Sequence, residues 1–454
     1  MIKKIIIILF VILNFNPHLW AENTSGPINL VHSDRVLILA PHPDDETIGT
    51  GGVIQRALKA GAHVKVVCYT NGDNNELAFI VYEKRLVFKK KAFLNLGETR
   101  AKETINAMAS LGLNEKDIIF LGYPDFGTME ILTKYWQDTS PYRSIFPRQN
   151  KVPYPGALSF GAPYMGESIL NDLKTVILDF RPTKIFVSHP ADTNRDHRSL
   201  YLFLKVALWD LEGKIKPPEI FPYIIHVIGW PKPRGYHPDL ELVPPSKLKG
   251  VSWQRFSLTD EEIKKKYDAI LNYKSQIVFD RPYLFTFARK NELFGDYPAV
   301  KLKKENEKEL TWRDLNMNED IAQDSTAEEE KQRAFVSALS YAIHDNNLFI
   351  RLTLKRKIDK DFGIPIFLLG YNKKTDFSKM PKIRLFIDFF GLHVKEKKQT
   401  EFIKDVQLSS KGKTLIIKVP LSVLGSPVRI LSYARTRAGT LTYDRCPWRI
   451  IELE

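Results

Sequence analysis

The residues most able to do chemistry are His42-Pro43-Asp44-Asp45-Glu46. His42 and Asp45 stand three apart, so a turn entering a helix puts them on one side, while Asp44 points elsewhere. Two such groups can hold a cation and leave a third carboxylate free to act on whatever the cation holds. That is the skeleton of a metal-hydrolase site. The same run also suits a plain helix cap with acidic residues in its first turn. On this motif alone the two readings are level, and a third ligand has to decide.

A third ligand stands in Ser188-His189-Pro190-Ala191-Asp192-Thr193-Asn194-Arg195-Asp196-His197. Catalytic zinc takes three protein ligands and leaves a fourth position open. His42, Asp45 and His197 make such a set. The elements that must position them are legible nearby. Val36 to Ala40 and Lys184 to Val187 are short apolar runs of the kind buried in a parallel sheet. Each leads through a motif into a helix-like stretch, one ending near Gly61 and the other running from Arg198 to Leu211. Ligands of open α/β sheets lie at such carboxyl ends of strands. The expected fold is α/β, a Rossmann-like, mostly parallel sheet with flanking helices.

With both motifs in view, the chain resembles the PIG-L/LmbE family of zinc-dependent de-N-acetylases over roughly residues 34–298. Smaller marks of the likeness are Thr70-Asn71-Gly72-Asp73, Arg100-Ala101-Lys102-Glu103, Leu121-Gly122-Tyr123-Pro124-Asp125 and Tyr273-Lys274-Ser275-Gln276. The resemblance implies zinc on His42, Asp45 and His197, with Asp44 as the general base that takes a proton from the attacking water. It implies substrate contacts for Arg100 and Asp125, whose plain alternatives are a surface helix arginine and a turn aspartate. Asp192 and Asp196 read as carboxylates that orient the imidazoles. Asn71 and Asp73 either shape a turn or line the rim.

The sequence departs from the family at one point. A histidine often stands three residues before the last ligand, and here that position is Asn194. Its amide can donate a hydrogen bond but cannot move a proton. His189, at the strand end, and His226, in the strand-like run Tyr223 to Pro231, are the two candidates to compensate. The bland reading of His226 is a satisfied half-buried histidine, and that of His189 is support for a neighbouring ligand or loop structure.

Residues 1–21 read as a secretory signal, with Lys3-Lys4 before an apolar run Ile5 to Leu13 and a cleavage point near Ala21. An exported, periplasmic or secreted protein is expected, with no membrane-spanning helix once the signal is removed. Cys68 and Cys446 are the only cysteines, and Cys68 falls in an apolar strand where a buried free thiol is expected. The deacetylase-like part is expected over 22–300 and a charged linker over 301–331. Residues 332–454 then show the short alternating strands of a β-sandwich. That last part is either a glycan-binding module or a packing or dimerisation module. A long insertion, Phe126 to Met165, is rich in Tyr and Pro and suits sugar stacking.

The net charge of +14 points to an anionic partner, such as a phosphate-bearing glycan, an acidic polysaccharide or a membrane surface, or simply to a basic proteome. Nothing resembles a nucleic-acid fold. The expected activity is removal of acetyl from an N-acetylglucosamine-type sugar in a glycan or glycoconjugate. Its rivals are a zinc amidase or esterase on another substrate and a non-catalytic glycan-binding protein with a structural metal.

Overall fold

The computed structural model describes residues 27–74, 90–136, 140–303, 310–316, 318–319, 336–355, 357–358, 360, 362–395, 405–438 and 441–454. The expected signal segment lies outside the described residues. The chain opens with β1 (Arg35–Ala40), α1 (Asp45–Lys59), β2 (His63–Thr70), α2 (Lys90–Leu111), β3 (Ile118–Tyr123), α3 (Thr128–Lys134) and α4 (Gly166–Phe180). It continues through β4 (Lys184–Ser188), α5 (Arg195–Asp210), β5 (Glu219–Tyr223), β6 (Ser252–Ser257), α6 (Asp260–Ile270), α7 (Lys274–Phe285) and β7 (Asn291–Asp296).

These strands form one sheet in the order β3-β2-β1-β4-β5-β7-β6. The first five run parallel, and β7 and β6 are antiparallel. The alternation of a strand decides which layer each side chain joins. Val36 and Ile38 pack with Ile54, Met108 and Ile263 from α1, α2 and α6. Leu37 and Leu39 pack with Leu173, Ile177 and Phe203 from α4 and α5. The chain builds outward from β1 to β3, then returns to lay β4 on the other side of β1. That reversal opens a crevice at the carboxyl ends of β1 and β4.

The remainder is antiparallel: β8 (Val300–Leu302), β9 (Arg313–Asn316), β10 (Asn318–Glu319), β11 (Val336–His344), β12 (Asn347–Leu354), β13 (Phe362–Tyr371), β14 (Lys382–Asp388), β15 (Gly391–Lys395), β16 (Gln407–Lys411), β17 (Thr414–Pro420), β18 (Arg429–Ala438) and β19 (Leu441–Leu453). One sheet runs β10-β19-β18-β13-β14-β15 and the other β16-β17-β12-β11-β9. Strands β12, β14 and β17 bury every second residue in a shared core that includes Leu352, Leu385 and Ile417.

The charged stretch expected as a linker is partly strand. β8 pairs in parallel with β19, β9 with β11 and β10 with β19. β9 and β10 are short sheet edges, where charged residues are tolerated and guard against further pairing, so their composition hid them.

The second face of the β13-β18-β19 sheet lies on α5. Leu431, Tyr433 and Trp448 share a core cluster with Trp136, Phe203 and Trp209. The Tyr371 ring is 4.9 Å from that of Trp209, and Arg429 is 2.7 Å from Glu212. This part is therefore packed against the first through a shared apolar core. The insertion also differs from expectation. Tyr142, Tyr154 and Tyr164 are buried in the α4/α5 layer, because their large apolar area is more favourably placed against the sheet than in water. Both cysteines are buried free thiols. Among the described residues no helix is long and apolar enough to cross a membrane.

Candidate metal centre

β1 delivers His42 and β4 delivers the loop to His197, so the crevice collects residues 155 positions apart. His42 Nδ1 stands 3.3 Å from Asp45 Oδ2, His197 Nε2 stands 3.0 Å from the same oxygen, and the two nitrogens are 3.3 Å apart. A tetrahedral ion with bonds of about 2.0 Å to N and O ligands would set its ligands about 3.3 Å apart. The three atoms therefore fit zinc. All three residues are buried.

The outer nitrogens are held by carboxylates, as in metal-ligating histidines generally. Asp125 Oδ1 is 3.1 Å and Asp196 Oδ2 3.4 Å from His42 Nε2. Asp192 Oδ2 is 3.1 Å from His197 Nδ1. Asp196 is fixed in turn by the backbone N–H of Phe126 at 2.6 Å and by Thr128. Four buried carboxylates around two imidazoles demand positive charge. Against the opposing effect of burial, Asp192 and Asp45 raise His197 to about 9.

Asp44 occupies the N-cap position of α1, yet its side chain caps nothing. Its φ is 114°, a conformation L-residues rarely adopt and one that costs about 1–3 kcal/mol. Glu46 helps to hold it, accepting from the Asp44 backbone N–H at 3.1 Å and from Tyr273 Oη at 2.5 Å. The twist aims the Asp44 carboxylate away from the helix, 3.3 Å from Arg100 Nη2. Burial, reinforced by Asp45 and Glu46 and opposed by Arg100, pushes this carboxyl up to about 8. The capping alternative is therefore not what the fold adopts at Asp44.

Several residues take places other than those expected. Arg100 is only 3% exposed and donates to the carbonyls of Pro43 at 2.7 Å and Gly72 at 3.0 Å. It braces the motif loop instead of reaching substrate, because the turn at Gly72 presents a carbonyl to it. Asp125, 3% exposed, backs His42 and accepts from the Asn74 N–H at 3.1 Å. Asn194 caps α5, its side-chain oxygen accepting from the Asp196 N–H at 2.8 Å. His189 is stacked 5.4 Å from Trp253, and its Nδ1 accepts from the Ala191 N–H at 3.0 Å. It is loop structure.

His226 is the histidine brought to the centre. Its ring is 4.7 Å from that of His197, and Asp192, His197 and His226 form a second cluster of possible ligand atoms. Tyr283 Oη lies 3.0 Å from His226 Nδ1 and orients the ring. Burial above all lowers His226 to about 4, so the imidazole is neutral at pH 7. Sequence reasoning missed Tyr283 altogether and did not assign Glu46 its part in holding Asp44. For Glu46 and Tyr273 the signal was present in their motifs. Phe126 is the exposed aromatic beside the centre, 46% exposed.

A mostly parallel sheet with a His-Asp-His cluster at its switch point and a further carboxylate alongside defines a hydrolase-like α/β protein. Residues 37–208 match the PIG-L family, described as GlcNAc-PI de-N-acetylase, and the chain carries a domain of that family. The 1D-myo-inositol 2-acetamido-2-deoxy-alpha-D-glucopyranoside deacetylase of Mycobacterium sp. (strain KMS) is 29% identical over 192 residues, 42% of this chain and 56% of that one. The chain thus spans little more than half the length of that relative. The like-named protein of Kribbella flavida is 26% identical, over 59% of this chain and 92% of its own. Among solved structures, N,N'-diacetylchitobiose deacetylase from Pyrococcus horikoshii is 21% identical, covering 58% of this chain and 83% of that one with a TM-score of 0.35.

Proposed function

We propose that this protein is an exported, zinc-dependent hydrolase that removes the acetyl group from an N-acetylated amino sugar of the N-acetylglucosamine type, carried in a glycan or glycoconjugate. The observation that carries the reading is the unliganded Asp44 carboxylate held in a strained turn beside the His42, Asp45 and His197 cluster. A purely structural metal site has no use for such a group. The named activity of the Mycobacterium and Kribbella relatives supports the same chemistry.

His42, Asp45 and His197 would hold zinc, which when bound supplies an acidified water and polarises the acetamide carbonyl. Asp44 takes one proton from the attacking water as its oxygen bonds to the carbonyl carbon. When the C–N bond breaks, Asp44 returns the proton to the departing amine, leaving acetate and the free amino sugar. Asp125, Asp192 and Asp196 hold the imidazoles, and Arg100, opposing the burial that raises Asp44, favours its ionised form.

Acetate release from N-acetylglucosamine oligomers by zinc-loaded protein tests the reading, with Asp44→Ala as comparison. Release that Asp44→Ala lowers at least 100-fold supports it. No release from protein that retains its metal overturns it, and an unimpaired Asp44→Ala removes the general-base role.

A further inference from the structure

We propose that the seam between the crevice and the β18 sheet is an anion subsite, built of arginines from both parts of the chain, that binds an oxyanion group on the glycan substrate. The proposal rests on the reading of the crevice as an amino-sugar hydrolase site and names the class of sugar it takes.

The geometry comes from the way β18 follows α5. Arg429, the first residue of β18, meets Glu212 and the Trp209 ring at the carboxyl end of α5. Four residues on, Tyr433 lies 5.6 Å from the guanidinium of Arg198, near the amino end of the helix. Alternate residues of a strand share a face, so Arg435 and Arg437 continue the row of Leu431 and Tyr433. They extend it past the end of α5, where Arg195 stands and the ligand loop begins. The sheet's outer face is therefore apolar where it packs and basic beyond, on the side of Arg195, two residues before His197.

The basic end is built against its own electrostatics. Arg435 lies directly opposite Arg445 across the β18–β19 ladder, and like charges in that position cost stability. Arg384 and Arg437 both stand over the Phe386 ring, at 5.9 and 4.9 Å. Arg198 is 7% exposed, and among the described residues its Nε, like those of Arg384 and Arg435, has no hydrogen-bond partner, although Arg435 Nη1 donates to Thr442 Oγ1 at 3.0 Å. Burial and the charges of Arg445, Arg437 and Arg195 pull Arg435 below the usual arginine range. Arg195 is paired with Glu130, which it shares with Lys134. From Val336 to the C terminus Lys and Arg number 22 and Asp and Glu 11, so the chain's excess charge is concentrated in the part that supplies this overhang.

Arginine forks match carboxylate and phosphate oxygens, and aromatic faces beneath them keep the forks in place. Phe367, Phe386 and Tyr433 serve as those faces here. A seam beside a catalytic crevice fits an acidic sugar unit adjoining the acetylated one.

The test uses full-length protein stripped of metal, so that no anion can bind at the centre. Oligogalacturonate and N-acetylglucosamine 1-phosphate are titrated by calorimetry, the first probing carboxylate and the second phosphate. Binding of either probe that Arg384→Ala/Arg435→Ala weakens at least 10-fold, while Lys411→Ala/Lys413→Ala on the far sheet leaves it intact, supports the subsite. Failure of both probes to bind overturns it, as does equal weakening by the two double variants. Arginine-dependent binding to phosphatidylglycerol vesicles without binding of either sugar probe overturns it in favour of a membrane surface. These outcomes do not depend on acetate release. If the metal-loaded protein also deacetylates, an acidic oligomer should be preferred over a neutral one by kcat/KM, and the arginine double variant should reduce that preference.

Discussion

Arg100 Nη2 lies 2.7 Å from the carbonyl oxygen of Pro43 and 3.3 Å from the carboxylate of the next residue, Asp44. One guanidinium thus fixes both the backbone and the charge of the motif's central turn. Replacing it should impair Asp44 through position and through ionisation together. Arg100→Ala is expected to lower kcat about 100-fold, the scale of a small misplacement of a reacting group. Loss of the positive charge raises the Asp44 pKa, so the acidic limb of the kcat/KM profile moves to higher pH. Arg100→Lys should recover part of the pH shift but not the carbonyl contacts. A profile that keeps its shape in Arg100→Ala would show that the arginine is structural only.

Asp192 joins His197 to the segment that follows β5, since its Oδ2 also accepts from the His226 backbone N–H at 2.9 Å. Asp192→Asn should weaken zinc binding about 10- to 100-fold, the usual effect of losing an outer partner, and Asp45→Ala should weaken it more. Competition with a chelating dye measures both. Equal affinity in Asp192→Asn and the parent protein would refute the assignment.

Burial pushes the Asp73 carboxyl up to about 7, although Tyr154 donates a hydrogen bond to it at 2.6 Å. The folded protein therefore keeps a proton that the unfolded chain releases near pH 4. Where the folded state binds more protons, stability falls as pH rises. Asp73 should favour folding fully below pH 4 and lose that contribution between about pH 4 and pH 7. Asp73→Asn keeps an acceptor for Tyr154 without the charge. Its melting temperature should exceed the parent's at pH 8 by on the order of a few degrees, with the gap closing at pH 4.

Phe126 exposes its ring while its backbone N–H holds Asp196. Apolar area at a crevice rim binds the ring faces of sugars. Phe126→Ala should raise KM for an N-acetylglucosamine oligomer about 3- to 10-fold and leave kcat nearly as it was. A change confined to kcat would point to disturbance of Asp196 instead.

The sheet and the trio His42, Asp45 and His197 were legible because both motifs follow buried strands, and order along such strands restricts where their ends can meet. The supporting contacts were not. Tyr273 reaches Glu46 across 227 positions and Tyr283 reaches His226 across 57, and no local pattern marks either pairing. Asn194 was misread because one residue type serves equally as a cap and as an amide donor. The insertion misled for a related reason: tyrosine is as apt for a core as for a binding surface, and only the packing of Tyr154 and Tyr164 under α4 distinguishes them.

The shared cluster of Trp136, Trp209, Tyr371, Tyr433 and Trp448 means the sandwich cannot be shed without leaving a wound. A chain cut after Tyr297 would present to water the indole and phenyl surface along α5 that β13, β18 and β19 now cover. Contiguous apolar surface of that kind drives self-association. The shortened protein should therefore precipitate or pair with itself before its chemistry could be judged, and its inactivity would say nothing of where acetyl groups are cut.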